Sequence, residues 1–337
     1  MKAAVIGSGG WGTALAMALH RNGHDTVLWS HSSEKAAKVQ LSRRNSSLPE
    51  ISLPDGINVT ADSRCVIGRK LVVIASPSVH IRSVCRTIAP FLEPDAVMVS
   101  VTKGIEADTF LRMSQIVQEE TERPVVALSG PSHAEEVARL IPTGCLAACE
   151  DQTLAELVQD AFMSDTFRIY TSADVIGAEL GGATKNVIAI CAGVIDALGY
   201  GDNTLAMLMT RGLTEIARLG MALGAKQQTF AGLAGIGDLI VTCTSRHSRN
   251  RRCGVCLGKG MAVPEALETV GAAVEGYYAA ASVRALAQKM EVEMPIVEAA
   301  YQVMYENIPA QQAVHTLLLR QKRPESEDAG WNETPLI

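Results

Sequence analysis

The chain has 337 residues, of which 47% are apolar and 20% charged, and its formal net charge is −6. That length exceeds one ordinary core and predicts two domains, and the apolar share excludes a disordered chain. The acidic balance argues against nucleic acid as a partner, because no general basic surface is available to a polyphosphate.

Residues 3–6 read as an apolar strand, followed by Gly7-Ser8-Gly9-Gly10-Trp11-Gly12 and a helix over 11–22 that Gly23 stops. In such a turn Gly7 permits the tight exit from the strand. Gly9 lets the backbone approach a pyrophosphate, and Gly12 allows close helix–strand packing. The helix then points free N–H groups and its positive dipole end at the anion. A dinucleotide site is expected here, with Gly7, Gly9, Gly10, Trp11 and Gly12 around the pyrophosphate. Residues 26–29 form a second strand, and Ser32 or Ser33 can cap a helix starting at Glu34. Pro49, Pro54, Asp55 and Gly56 mark a loop, and 57–60 a short strand. The runs 71–75, 96–101 and 125–128 are continuously apolar, which fits a parallel sheet covered by helices on both sides. Later strands are expected at 144–149 and 166–170. After residue 171 the pattern turns helical, over 173–198, 205–222, 263–270, 279–289, 296–306 and 310–319. The expected fold is α/β: a doubly wound, Rossmann-like parallel sheet over 1–172, an all-α domain over 173–320, and a polar tail over 321–337.

Eight cysteines without a framework suit a reducing cytoplasm. Cys253-x-x-Cys256 lacks the second pair that a structural zinc site needs, so no metal is expected. No signal peptide fits the start, and no apolar run reaches the ~20 residues that span a bilayer; 187–198 is too short and contains Asp196. A helical second domain often offers dimer surface, so a homodimer is a natural expectation.

The end of the second strand bears on the cofactor. A carboxylate there would read a ribose hydroxyl and favour NAD. The chain instead has Ser30, His31, Ser32 and Ser33, with Lys35 one turn on, which favours NADP over NAD. His31 is either part of that subsite or a solvent-facing loop histidine.

Four further segments can carry chemistry. In Ser100-Val101-Thr102-Lys103-Gly104 a lysine directly follows a buried strand, either over the cofactor crevice or snorkelling to the surface. In Ser129-Gly130-Pro131-Ser132-His133-Ala134 a turn is fixed and Ser132 can cap a helix. In Gly181-Gly182-Ala183-Thr184-Lys185-Asn186 a lysine lies in an apolar helix, where burial disfavours its charge and makes it a usable proton donor and acceptor. The two glycines would let cofactor or substrate come close. In the stretch 235–252, Asp238 and Thr242 share one helical face, and Ser248-Arg249-Asn250 suits a phosphate better than a solvated basic loop.

These segments, in this order, resemble bacterial NAD(P)-dependent glycerol-3-phosphate dehydrogenase over roughly residues 1–320. The resemblance implies reversible reduction of dihydroxyacetone phosphate, a small phosphorylated substrate, to sn-glycerol 3-phosphate for phospholipid synthesis. Carried over by position, Lys185 is the acid/base. Lys103 contacts substrate and nicotinamide, and Gly130, Ser132, Asp238, Ser248, Arg249 and Asn250 complete the substrate pocket. Ala134, Arg249, Ala273 and Glu275 lie at the cofactor, with Asn186 and Thr242 as second members. Two rivals remain at this point: a dehydrogenase of similar build acting on a β-hydroxyacid or a ketopantoate-like substrate, and a silent nucleotide sensor. The Ser-Arg-Asn-Arg-Arg cluster disfavours the first, and the two lysines the second.

Overall fold

In the computed structural model, which describes residues 1–271, 273–322 and 325, the continuous apolar runs become strands buried on both faces. In chain order the strands are β1 (Lys2–Ile6), β2 (Asp25–Trp29), β3 (Arg44–Asn45), β4 (Leu48–Ser52), β5 (Asn58–Thr60), β6 (Leu71–Ile74), β7 (Val97–Ser100), β8 (Val125–Ser129), β9 (Thr143–Ala148) and β10 (Phe167–Ser172). Between them run α1 (Gly10–Arg21), α2 (Ser33–Ser42), α3 (Ile81–Ile88), α4 (Met113–Thr121), α5 (Ala134–Ala138) and α6 (Gln152–Phe162).

The main sheet has the order β10-β9-β8-β7-β6-β1-β2-β5. Strand order reverses at β1, between β2 on one side and β6 on the other, and a crevice opens there at the carboxyl ends. Register levels those ends: Ile6 lies opposite both Trp29 and Ile74, and Ile74 opposite Ser100. The glycine-rich turn, the loop at His31, the Pro77-Ser78 turn and the Lys103 segment therefore share one rim.

Two expectations need correction. The sheet is parallel from β5 to β8, but β9 runs antiparallel to β8 and carries β10 parallel to itself. The connection after β8 holds only the five-residue α5, which packs on α1 at the rim instead of crossing a sheet face. The stretch read as a loop around Pro49 contains the β3–β4 antiparallel ribbon. A two-stranded ribbon has free edges, so it tolerates the missing N–H of a proline.

The second half contains α7 (Val175–Ala197), α8 (Asp202–Ala222), α9 (Gln227–Phe230), α10 (Asp238–Thr244), α11 (Arg249–Gly258), α12 (Val263–Val270), α13 (Glu275–Lys289), α14 (Pro295–Tyr305) and α15 (Ala310–Leu318). α7 is the axis, with α8, α10, α11 and α13 packed around it. Contrary to the expectation from apolar runs, α7 is long and apolar enough to cross a membrane. Its most apolar window is 83% buried inside the molecule, so it forms the core of the helical half. The polar residues Glu179, Lys185 and Asn186 interrupt it in sequence, yet all are buried by neighbouring helices. The expected tail over 321–337 lies almost wholly outside the described residues.

α7 and α11 meet at glycines. A Cβ on Gly254 would lie 1.9 Å from the Ile190 carbonyl oxygen, which is backbone and cannot swing away. Gly254→Ala is therefore expected to cost about 2–3 kcal/mol through overpacking, read as a lower denaturant midpoint. An unchanged midpoint would contradict this contact.

Candidate active site

α10 begins with Asp238, directly after a π-helical turn over Leu233–Gly237. That start turns the Asp238 carboxylate inward, and the residue is 1% exposed. One of its oxygens accepts from the Lys185 ammonium on α7, and the other accepts from Lys103 Nζ at 2.6 Å. The two lysines thus converge, from separate halves of the chain, on a single carboxylate. Thr242, one turn along α10, accepts a second bond from Lys185 at 2.6 Å and donates its own proton to the Asp238 carbonyl. Lys103 also donates to the Gly130 carbonyl at 3.0 Å.

Two ammonium groups against one carboxylate leave an excess of one positive charge in a buried place. Burial pushes Lys185 down to about 8; Asp238 opposes that shift and the Lys103 charge adds to it. Such a lysine exchanges its proton near neutral pH, and the excess charge suits an oxygen that becomes anionic.

The neighbouring glycines serve the protein's own chain. A Cβ on Gly181 would meet the Ala234 carbonyl oxygen at 2.3 Å, and one on Gly182 would meet Ser129 Oγ at 2.9 Å and the Lys103 stem at 3.3 Å. They let the turn before α10 and the Lys103 stem approach α7. Ser132 departs from expectation. Its hydroxyl donates to the Gly130 carbonyl at 2.9 Å, while α5 starts after His133 with no side-chain cap.

At the rim, the residues present fit a dinucleotide. Gly7 has a positive φ of 127°, and a Cβ there would strike the Ala75 carbonyl oxygen at 2.4 Å. Gly12 abuts the Gly7 carbonyl in the same way. Gly9 is different: a Cβ on it would meet nothing within 4 Å, so the fold itself does not require glycine there. Open space beside a helix end with no side-chain cap is what a pyrophosphate needs. Gly10 sits against Ala134, the first residue of α5. The Trp11 ring packs edge-on against Phe167 at 6.4 Å. His31 is exposed, edge-on to Trp29.

The remaining candidates surround α11 and α13. Ser248 is the N-cap of α11, its hydroxyl accepting from Arg251 N at 3.2 Å. Arg249 is exposed on the first turn. Asn250 is buried and bridges helices, donating to Asn186 at 2.9 Å and accepting from Gly276 N at 2.9 Å. Glu275 opens α13 just after Ala273 and Val274. Its carboxylate accepts from Ser78 N at 3.2 Å and Ser78 Oγ at 2.5 Å, which ties α13 to the turn after β6. Gly104 makes room for that turn, since a Cβ there would lie 2.8 Å from the Ser78 Cβ.

Two participants escaped the sequence reading. Ser78 carried no signal beyond its place after a strand and a proline. Glu179 did carry one, a charge within an apolar helix, as for Lys185. It is buried two turns before Lys185, pairs with Arg112, and accepts from Ser114 N at 2.8 Å and Ser114 Oγ at 2.6 Å. Among the described residues, no group of three or more His, Cys, Asp or Glu side chains could hold a metal ion.

A family model for the N-terminus of NAD-dependent glycerol-3-phosphate dehydrogenase matches residues 2–155, and one for its C-terminus matches 174–315. The chain belongs to this family. A glycerol-3-phosphate dehydrogenase (NAD(P)+) of Fusobacterium nucleatum is 47% identical over 330 residues, covering 96% of this chain and 98% of its own. The like-named protein of Listeria monocytogenes is 48% identical over 332 residues, covering 97% and 98%. Among solved structures, glycerol-3-phosphate dehydrogenase from Coxiella burnetii superimposes with a TM-score of 0.91 at 38% identity, over 95% of this chain and 99% of that one.

The space at Gly9 separates binding from folding. Gly9→Ala is expected to melt like the parent, within about 0.5 kcal/mol as for a surface change. It should bind reduced nicotinamide dinucleotide markedly more weakly, measured by fluorescence titration. Equal binding would remove the assignment of this turn to a pyrophosphate.

Proposed function

We propose that Lys185 is the acid/base group of a ketone reductase whose site is assembled around Asp238. The chain is an oxidoreductase that interconverts dihydroxyacetone phosphate and sn-glycerol 3-phosphate with NAD(P)H. The observation that carries the residue assignment is the meeting of Lys103 and Lys185 on the two oxygens of one buried carboxylate.

With a dinucleotide's pyrophosphate at the Gly7–Gly12 turn, its reduced nicotinamide would supply a hydride to the carbonyl carbon. The chain's own residues handle charge and proton. As the carbonyl π pair moves onto oxygen, the Lys185 ammonium donates a proton to it and becomes a neutral amine. In the reverse direction the amine takes that proton back. Lys103 stabilises the same oxygen. Asp238 orients both ammonium groups. Gly130 and Ser132 border the pocket beside Lys103, and Glu275, Ala273 and Ala134 flank the cofactor side. Arg249, on the open first turn of α11 next to Ser248 and Asn250, grips the substrate phosphate, and its binding energy serves orientation of the distant ketone. It also reaches the cofactor phosphates. Asn186 and Thr242 hold Asn250 and Lys185 in place.

The finer assignments follow the same reading. Residues 1–172 form the dinucleotide domain and 173–320 the substrate domain. NADP is favoured over NAD because Ser30, His31, Ser32 and Ser33 follow β2 without a carboxylate. The eight cysteines are all free thiols, which supports a cytoplasmic setting. A homodimer is supported by a groove of about 750 Å³ lined by Leu208, Ile296, Val314 and the exposed Met207 and Leu318; a two-chain mass by light scattering tests it. The reaction feeds glycerophospholipid synthesis.

Lys185→Ala is expected to lose about 10²–10⁴-fold in kcat while still binding cofactor; near-normal turnover removes the acid/base role. In the parent, kcat/KM for reduction should fall as pH rises through about 8, because reduction needs the ammonium, and kcat/KM for oxidation should rise over the same span. Asp238→Asn removes a charge that favours the ammonium, so both limbs should move to lower pH. Arg249→Ala should raise KM for dihydroxyacetone phosphate more than it lowers kcat, and an unchanged KM would refute the phosphate role.

A further inference from the structure

We propose that Lys35 reads the adenosine 2′-phosphate and thereby sets the cofactor preference of this chain. The proposal rests on the NADP reading above and names the side chain that carries it.

Lys35 lies in the first turn of α2, beyond the end of β2. Its backbone N–H is held by the Ser32 hydroxyl at 3.1 Å, which caps the helix and fixes where the lysine starts. The side chain then runs back across the crevice, and Nζ donates to the carbonyl oxygen of Ser8 at 2.9 Å. Ser8 belongs to the glycine-rich turn, so this ammonium spans from α2 to the pyrophosphate site. Ser8 is laced in from two other sides: its hydroxyl donates to Ser30 Oγ at 2.8 Å, and its carbonyl also accepts from Asn45 Nδ2 at 2.9 Å. In this fold the ribose nearest the adenine lies between the first turn and the end of the second strand. Lys35 crosses that place.

Charge agrees with geometry. No carboxylate occupies positions 30–33, and Glu34 is exposed. Burial lowers the Lys35 pKa from its ordinary value, so its bond to a neutral carbonyl does not offset the loss of water. A phosphate dianion would offset it, since hydrogen bonds between ionised partners are roughly twice as strong as neutral ones. A cofactor with a bare 2′-hydroxyl offers no such partner.

A plain strut for the turn is the competing role, and it predicts equal damage to both cofactors. The test measures binding of 2′,5′-ADP and 5′-AMP by calorimetry, together with kcat/KM for NADPH and NADH. The parent is compared with Lys35→Ala, Lys35→Met, which keeps most of the apolar stem, and Lys35→Arg. Lys35→Ala and Lys35→Met are expected to weaken 2′,5′-ADP and to lower kcat/KM for NADPH by roughly 10- to 100-fold, the worth of a charged hydrogen bond. Binding of 5′-AMP and use of NADH should stay within about twofold of the parent, and Lys35→Arg should retain the preference for the phosphorylated forms. Equal losses for both cofactors, or unchanged 2′,5′-ADP binding, overturn the proposal while leaving the NADP reading intact. If the parent binds 2′,5′-ADP no better than 5′-AMP, the NADP reading itself fails, and the role of Lys35 with it.

Discussion

A single buried carboxylate bearing two ammonium groups is the constraint around which this molecule is arranged. Asp238 is almost fully removed from water, and an unpaired charge there would be costly. Lys185 and Lys103 pair it from opposite sides, one from the helical half and one from the rim of the sheet. Removing either lysine would leave a less compensated buried charge, so the fold depends on this contact. The arrangement also explains why Lys185 titrates near neutrality. Burial and the second lysine disfavour its charge, and the shared carboxylate limits how far that goes.

Close approach of backbones makes the contact reachable. Gly181 lets the segment before α10 lie against α7, Gly182 admits the Lys103 stem, and Gly193 and Gly254 bring α11 onto the same helix. Each is a place where a methyl group would collide with backbone or with a side chain already committed. Glu179 adds a polar link between the halves through Arg112 and Ser114, and Glu275 adds another through Ser78. These polar ties and one apolar axis fix how the sheet half and the helical half meet.

Much of this was legible along the chain. Apolar runs with no polar alternation identified the inner strands, because both faces of a parallel sheet are covered. Lys185 stood out as a charge in an apolar helix, and Asp238 with Thr242 as residues one turn apart. Where local pattern misled, a distant partner had intervened. The direction of β9 depends on α5 staying beside α1. Pro49 was compatible with a strand because that ribbon has free edges. The hydroxyl of Ser132 found the Gly130 carbonyl instead of a helix end.

The sequence by itself determined the inner strands and the long helices of the second half, that a glycine-rich turn joins the first strand to the first helix, and which lysines are out of place in their surroundings. Those are consequences of period, turn chemistry and the cost of burying charge, all readable within a few residues. Only the tertiary structure decided that Lys103 and Lys185 share Asp238, from 135 and 53 residues away in the chain. It also decided that Glu275 caps Ser78 and that Lys35 reaches back to Ser8. The reason is that an ion pair or hydrogen bond forms wherever packing brings its partners within about 3 Å, and no local pattern encodes that distance.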